Sequence, residues 1–243
     1  MPNMNLNAAD RGRTVDESAD RVESRKKELF ELAVFLLLIV PSMLISFPGL
    51  GGSLGFPLLA VSVIFRDLSL TCLVVFFLWR DGVSLSRLGW TRAGLKQEAL
   101  LGVALFVPIL YGIAILKRVF EWVGLSGVKG VPQFLMAKGP LEIVLACVLV
   151  VVVAVAEETI FRGYLILRFN QLTGSIASAI LLSSAVFSLG HGYEGTAGLG
   201  TVGVLGVILA LVYLWRKSLV APVVLHFLID FFPLVLLPLL KIK

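Results

Sequence analysis

The sequence predicts an all-α fold, a polytopic transmembrane helical bundle with an active-site cavity inside the membrane. Three observations carry this. Of 243 residues, 58% are hydrophobic and only 15% charged, where an average soluble domain is about half apolar and a quarter charged. Mean hydropathy is +0.97. The apolar residues also come in runs close to the roughly 20 residues that a helix needs to cross a bilayer core about 30 Å thick, and turn residues separate the runs.

Seven segments qualify as spans: 29–47, 56–79, 98–116, 141–167, 175–191, 199–215 and 218–239. Residues 1–28 precede them as a near-neutral tail with six Lys/Arg and six Asp/Glu, expected to be solvated, partly disordered or surface-helical. This polar start shows no cleavable signal peptide. PGLGG at 48–52 parts the first two spans, and RDG at 80–82 closes the second. RVFEWVGLSGVKGVPQFLMAK at 118–138 is broken by glycine and proline. Its aromatics suit an interfacial helix across the outer mouth, with an eighth partial span as the alternative. The fourth span is longer than a minimal crossing, and TG at 173–174 turns it into the fifth. GLGTVGVLG at 198–206 reads as close helix packing. The chain divides into a tail (1–28), N-terminal helices with the interfacial segment (29–139) and a catalytic helical core (140–243).

With the N-terminus inside, inner segments hold fourteen Lys/Arg and outer ones six, so the positive-inside rule favours a cytoplasmic N-terminus. The net charge of +5 is read as loop charge, and no nucleic-acid partner is expected. Cys72 and Cys147 both lie in apolar runs and make no disulfide framework or CxxC site.

Ionisable side chains within a span cost about 2.5 kcal/mol or more each at mid-membrane, and usually serve a function. The list here is short: Arg66, Asp67, Glu157, Glu158, Arg162, His191, His226 and Asp230. Glu157 lies 17 residues before Gly174 and His191 17 residues after it, so an antiparallel hairpin places them at equal depth. Glu157 is eleven residues from Arg168, and His226 nine beyond Lys217. At 1.5 Å per residue those depths agree within about 3 Å. Helices four, five and seven can therefore present Glu157, Glu158, His191, His226 and Asp230 to one cavity. Residues four apart share a helix face, so Glu158 pairs with Arg162 and His226 with Asp230, while Glu157 points elsewhere, free for chemistry. Plainer readings exist: a buried ion-pair cluster for the glutamates and Arg162, a helix cap for His191, a satisfied i, i+4 pair for His226 and Asp230. Arg66 and Asp67 read as a mutual or interhelical pair.

EETIFR (157–162), FSLGH (187–191) and HFLID (226–230) resemble the EExxxR, FxxxH and HxxxN/D motifs of the CPBP family, the type II CAAX prenyl endopeptidases and bacteriocin-processing (ABI) membrane proteins. The spacings of 34 and 35 residues between Glu157, His191 and His226 keep the motifs in order, and SRLGW at 86–90 is similar to the family's lead-in. The resemblance implies an intramembrane endopeptidase acting on a membrane-associated peptide or protein substrate. Glu157 would activate water, His191 would hold that water or a metal, Glu158 and Arg162 would be partners, and His226 with Asp230 would stabilise the oxyanion or complete the site. It leaves both a Zn2+ site on Glu157, His191 and His226 and a metal-free, glutamate-type mechanism open. Asp230 stands at the variable Asn/Asp position, and an ionised Asp cannot donate a hydrogen bond; orienting His226 or binding metal is the expected role. Two other classes fit buried carboxylates and histidines: a proton- or ion-coupled transporter, and a catalytically idle immunity or scaffold protein.

Overall fold

The structure, a computed structural model, describes residues 8–44, 55–128 and 130–240, with side chains from residue 22 onward. The PGLGG turn, the first seven residues of the tail and the last two lysines lie outside them. Helices α1 (Ala8–Leu44), α2 (Phe56–Arg80), α3 (Leu95–Trp122), α4 (Pro140–Glu157), α5 (Ile166–Thr173), α6 (Ile176–Leu189), α7 (Gly195–Arg216), α8 (Val220–Phe231) and α9 (Leu237–Leu239) make up the bundle. No strand occurs among the described residues.

Each of the seven expected segments coincides with a helix. Phe56–Arg80, Leu95–Trp122, Pro140–Thr173, Gly192–Arg216 and Val220–Leu239 are long and apolar enough to cross a membrane. Helix α6 has 14 residues, about 21 Å at 1.5 Å per residue, less than a bilayer core. Ser175 fixes its start, accepting from the Ser178 amide. Helix α1 begins in the polar tail, so residues 8–28 are helical, in keeping with the surface-helical alternative.

Two local expectations are corrected. Among the described residues of 118–138 there is neither an interfacial helix nor an eighth span: α3 runs on to Trp122, and beyond it only Gln133–Leu135 forms a single 3₁₀ turn. Gly124, with φ 96°, stops the helix in a conformation that L side chains rarely adopt. The fourth span is not a plain α-helix either. Between α4 and α5 the chain passes through a π-helical stretch, Glu158–Leu165, buried throughout. The i→i+5 pattern widens the turn, and the Ser183 hydroxyl of α6 donates to Phe161 O (2.6 Å) inside it.

Small residues set the helices around this stretch. A Cβ at Gly206 would lie 3.0 Å from Ser184 Cβ, so α6 and α7 touch along the glycine-rich run. SRLGW packs on the other side: Leu88 is buried against Gly163, and Trp90 Nε1 donates to Thr159 Oγ1 (3.1 Å). Gly89, at φ 95°, accepts from the Leu219 amide (3.0 Å).

The two ends of the bundle differ. Glu98, at the start of α3, pairs with Arg216 at the end of α7 (2.7 Å), while Lys117 near the end of α3 faces Glu194 before α7 (3.6 Å). The helices are thus antiparallel with matched ends. Lys27, Arg80 and Arg168 gather at the Arg216 end. The 123–139 loop and the His191–Gly195 turn lie at the other, where Val128 N donates to Glu194 O (3.2 Å).

Candidate active site

The site begins with Glu157, last residue of α4, and Glu158, first of the π-helical stretch. Both are buried, at 7% and 0% exposure. In a regular α-helix adjacent side chains diverge by about 100°; here both carboxylates reach one imidazole. His226 Nδ1 donates to Glu158 Oε1 at 2.7 Å, and Glu157 Oε2 lies 3.8 Å from Nε2. The wider turn brings successive side chains nearer in direction, which the α-helical expectation for Glu157 did not include.

Each glutamate also has its own cation. Arg162 Nη1 donates to the same Glu158 Oε1 (2.8 Å), the expected i, i+4 pair. Its guanidinium carbon sits 4.2 Å above the Phe187 ring, a cation–π contact, and Nη2 reaches Gly206 O at 3.5 Å. Glu157 Oε1 lies 3.9 Å from Arg66 Nη2 of α2, and Arg66 in turn bonds Asp67 (2.8 Å). Arg66 and Asp67 therefore belong to this cluster, the second as neighbour of the first. Spacing rules missed it because the link crosses two helices; being charged within a span was the one available signal.

Asp230 completes the ring of acids, its Oδ2 3.4 Å from His226 Nε2, one turn along α8. His191 falls just past α6, in the turn, and its Nδ1 donates to Phe187 O (3.3 Å). Phe187 touches both histidines, with ring centroids 5.1 Å from His191 and 5.9 Å from His226. The phenylalanine of FSLGH is thus a packing wedge that spaces the imidazoles.

A cavity of about 460 Å³ opens beside this cluster, lined by His191, His226 and Asp230 among mostly apolar side chains. That volume is typical of ligand pockets. Glu157 and Glu158 are not on its wall; they stand behind His226. Tyr193, which the sequence reading passed over, lies on the wall with its ring 5.9 Å from His191.

Asp67 Oδ2, Glu157 Oε2 and Glu158 Oε2 are buried with no hydrogen-bond partner among the described residues. A buried acceptor left unmade costs about 1–3 kcal/mol, more when charged, and the described side chains supply no donor to these three. A zinc ion is a poorer fit. Among the described residues no group of three His, Cys, Asp or Glu side chains is arranged to hold a metal ion. His226 Nδ1 is taken by Glu158, and Arg66 and Arg162 already balance the glutamates.

Residues 139–232 match a family model described as Rce1-like, type II CAAX prenyl endopeptidase Rce1-like. The CPBP resemblance read from three motifs is borne out over that segment, which contains all six candidate site residues and excludes Arg66, Asp67 and Lys117. Searches of the curated proteins and of the solved structures found no match.

Proposed function

We propose, from the premise that residues 139–232 are an Rce1-like segment of an integral membrane protein, that the chain is an intramembrane endopeptidase of glutamate type. The observation that carries the reading is the bare Oε2 of Glu157, 3.8 Å from His226 Nε2, with the opposite ring nitrogen fixed by Glu158 at 2.7 Å.

In this reading a water molecule between Glu157 and the cavity is the nucleophile. Its proton passes to Glu157 Oε2 as its oxygen adds to the scissile carbonyl. His226 Nε2–H faces the oxyanion, and the surrounding Glu157, Glu158 and Asp230 balance an imidazolium. The proton then moves to the leaving amine nitrogen as the C–N bond breaks. His191, with Nδ1–H spent on Phe187 O, keeps Nε2 as an acceptor to orient the water. Arg162 and Glu158 position His226. The substrate is a membrane-associated peptide whose apolar residues suit the cavity wall.

Purified protein should cleave an S-farnesylated peptide with an aliphatic C-terminal tripeptide, and Glu157→Gln should lower the rate by about 10³-fold, within the range for a lost general base. A Glu157→Gln variant as fast as the parent sinks the assignment. A chelator should leave the rate unchanged; loss restored by added zinc would replace this mechanism with a zinc-dependent one. Uptake of protons into liposomes without proteolysis would favour a transporter.

The fold ties the side on which the cavity opens to the side on which the N-terminus lies. Lys27 and Glu31 of α1 sit at the Arg80 and Arg168 end, and Met43 lies beside Gly190 near the cavity. A cytoplasmic N-terminus therefore turns the cavity end outward, a consequence of the charge count that sequence alone could not tie to the cavity. Cysteine at Ser126 should react with a membrane-impermeant thiol reagent in intact cells, while cysteine at Ser86 should react only after lysis. The reverse pattern would put the cavity in the cytoplasm.

A further inference from the structure

The cavity contains one feature that the hydrolytic chemistry does not use. Among its described lining residues the only lysine or arginine is Lys117, near the C-terminal end of α3 and about one quarter exposed. It faces Glu194 at 3.6 Å, an ion pair longer than a hydrogen bond. The wall around it is apolar, with Leu110, Ile113 and Ala114 on the same helix. A cation among such side chains is poorly solvated, and its charge acts over a longer range than it would in water.

Glu194 has a second source of compensation. It directly precedes α7, and its side chain lies over the first turn of that helix, where a Cβ at Gly198 would collide with it. The positive end of the α7 macrodipole stabilises a carboxylate there. Lys117 is therefore the partner that can be shared with an incoming anion.

The same cavity is lined by His191, His226 and Asp230. A chain entering it meets carboxylate and imidazole groups, aliphatic walls and, among the described lining residues, a single ammonium. The chemistry matching that set is a short apolar peptide ending in a free carboxylate. The CAAX substrate class of the matched family ends in two aliphatic residues, a variable residue and a free terminus, which the cavity volume of about 460 Å³ can take.

We propose that Lys117 is the receptor for the substrate's C-terminal α-carboxylate and makes the enzyme read chain ends. The proposal rests on the endopeptidase reading for the identity of its ligand, but it is tested by binding. The probes are an N-dansylated, S-farnesylated Cys-Val-Ile-Ala tetrapeptide as the free acid and the same peptide as the carboxamide. Both are titrated onto the detergent-solubilised full chain, with cleavage measured separately.

The acid should bind at least about tenfold tighter than the amide, as expected for one charge-assisted hydrogen bond. Lys117→Met should bring the ratio close to one, mainly by weakening the acid. Glu194→Gln should move it the other way, since Lys117 loses its competitor; this variant guards against a Lys117→Met protein that merely folds badly. An acid-to-amide ratio near one in the parent, a ratio unchanged by Lys117→Met, or no binding of either peptide overturns the proposal. Cleavage with an unchanged ratio removes Lys117's role and leaves the peptidase standing. Acid-selective binding without cleavage removes the peptidase and leaves the receptor.

Discussion

Two buried clusters of carboxylates and arginines stand out among the described residues, and they are finished differently. At the end carrying Arg80, Glu31 gives one oxygen to Arg80 and the other to Arg168 (2.9 Å), while Asp81 gives one to Lys27 (2.6 Å) and one to Arg168 (3.0 Å). All four oxygens are occupied, and α1, α2 and α5 are tied together. In the middle of the bundle Asp67, Glu157 and Glu158 each keep one oxygen with no hydrogen-bond partner among the described residues. Both clusters cost desolvation. In the first every carboxylate oxygen has a partner in the protein, although Arg168 Nε has none among the described residues. In the second one oxygen of each acid has none, and the proposed hydrolysis would use that of Glu157 to accept from water.

Crossed substitutions give the sharpest contrast. Glu157→Gln should remove about 10³-fold of the cleavage rate, roughly 4 kcal/mol at 1.36 kcal/mol per tenfold. Its thermal midpoint in detergent should not fall, because a neutral amide relieves a buried oxygen of its missing donor. Glu31→Gln should do the opposite, lowering the midpoint while the rate per folded molecule stays. If both variants lose stability equally and neither loses cleavage selectively, the two clusters are the same kind of object and the distinction fails.

Arg168→Met comes next in size. It leaves Glu31 and Asp81 each short of a cation, and breaking a buried pair this way costs about 3–5 kcal/mol. Arg168 is only 3% exposed, so little of that is screened. Thermal unfolding should show a large drop in midpoint; a drop no larger than that of a surface variant would mean water already reaches the network.

These clusters also show how much a sequence exposes. The middle cluster was legible because each of its helices carries its own regular spacing: Glu158 with Arg162 and His226 with Asp230 are i, i+4 pairs on single helices, and equal loop distances levelled the helices. Arg66 was visible as a charge within a span, but its 3.9 Å approach to Glu157 depends on how α2 lies against α4, which no spacing encodes. The π-helical stretch was hidden for a related reason. ETIFRGYL has no composition that separates a π turn from an α turn; the choice is made by Leu88, Ser183 and Phe187 packing around it. The end network was not legible at all. Arg168 served as a depth marker for Glu157, yet it is the buried hub of three acids, since Glu28, Glu31 and Asp81 all come within 4 Å of it. Those partners lie 87 or more positions away in the chain.

The smallest effect is in pH dependence, and it separates the clusters by a different property. Burial raises the Asp81 carboxyl's affinity for a proton, but Lys27 and Arg168 outweigh it and hold the group below its ordinary value, about 3.9 for aspartate. A folded-state value below the unfolded one means that the unfolded chain binds the proton more readily. The stabilisation is therefore complete above the unfolded value and drains away as pH falls through the folded one. Glu31 and Asp81 share Arg168, so protonating Asp81 loosens one arm of the network and leaves the other. Thermal midpoints measured from pH 6 down to about pH 3 should fall less steeply in Asp81→Asn than in the parent, with the gap between the two curves shrinking toward the acid end as Asp81 takes up its proton. Parallel curves across that range would show that Asp81 titrates alike folded and unfolded. The ion pairs drawn to it at 2.6 and 3.0 Å would then hold no net charge preference, and the end network would rest on Glu31 alone.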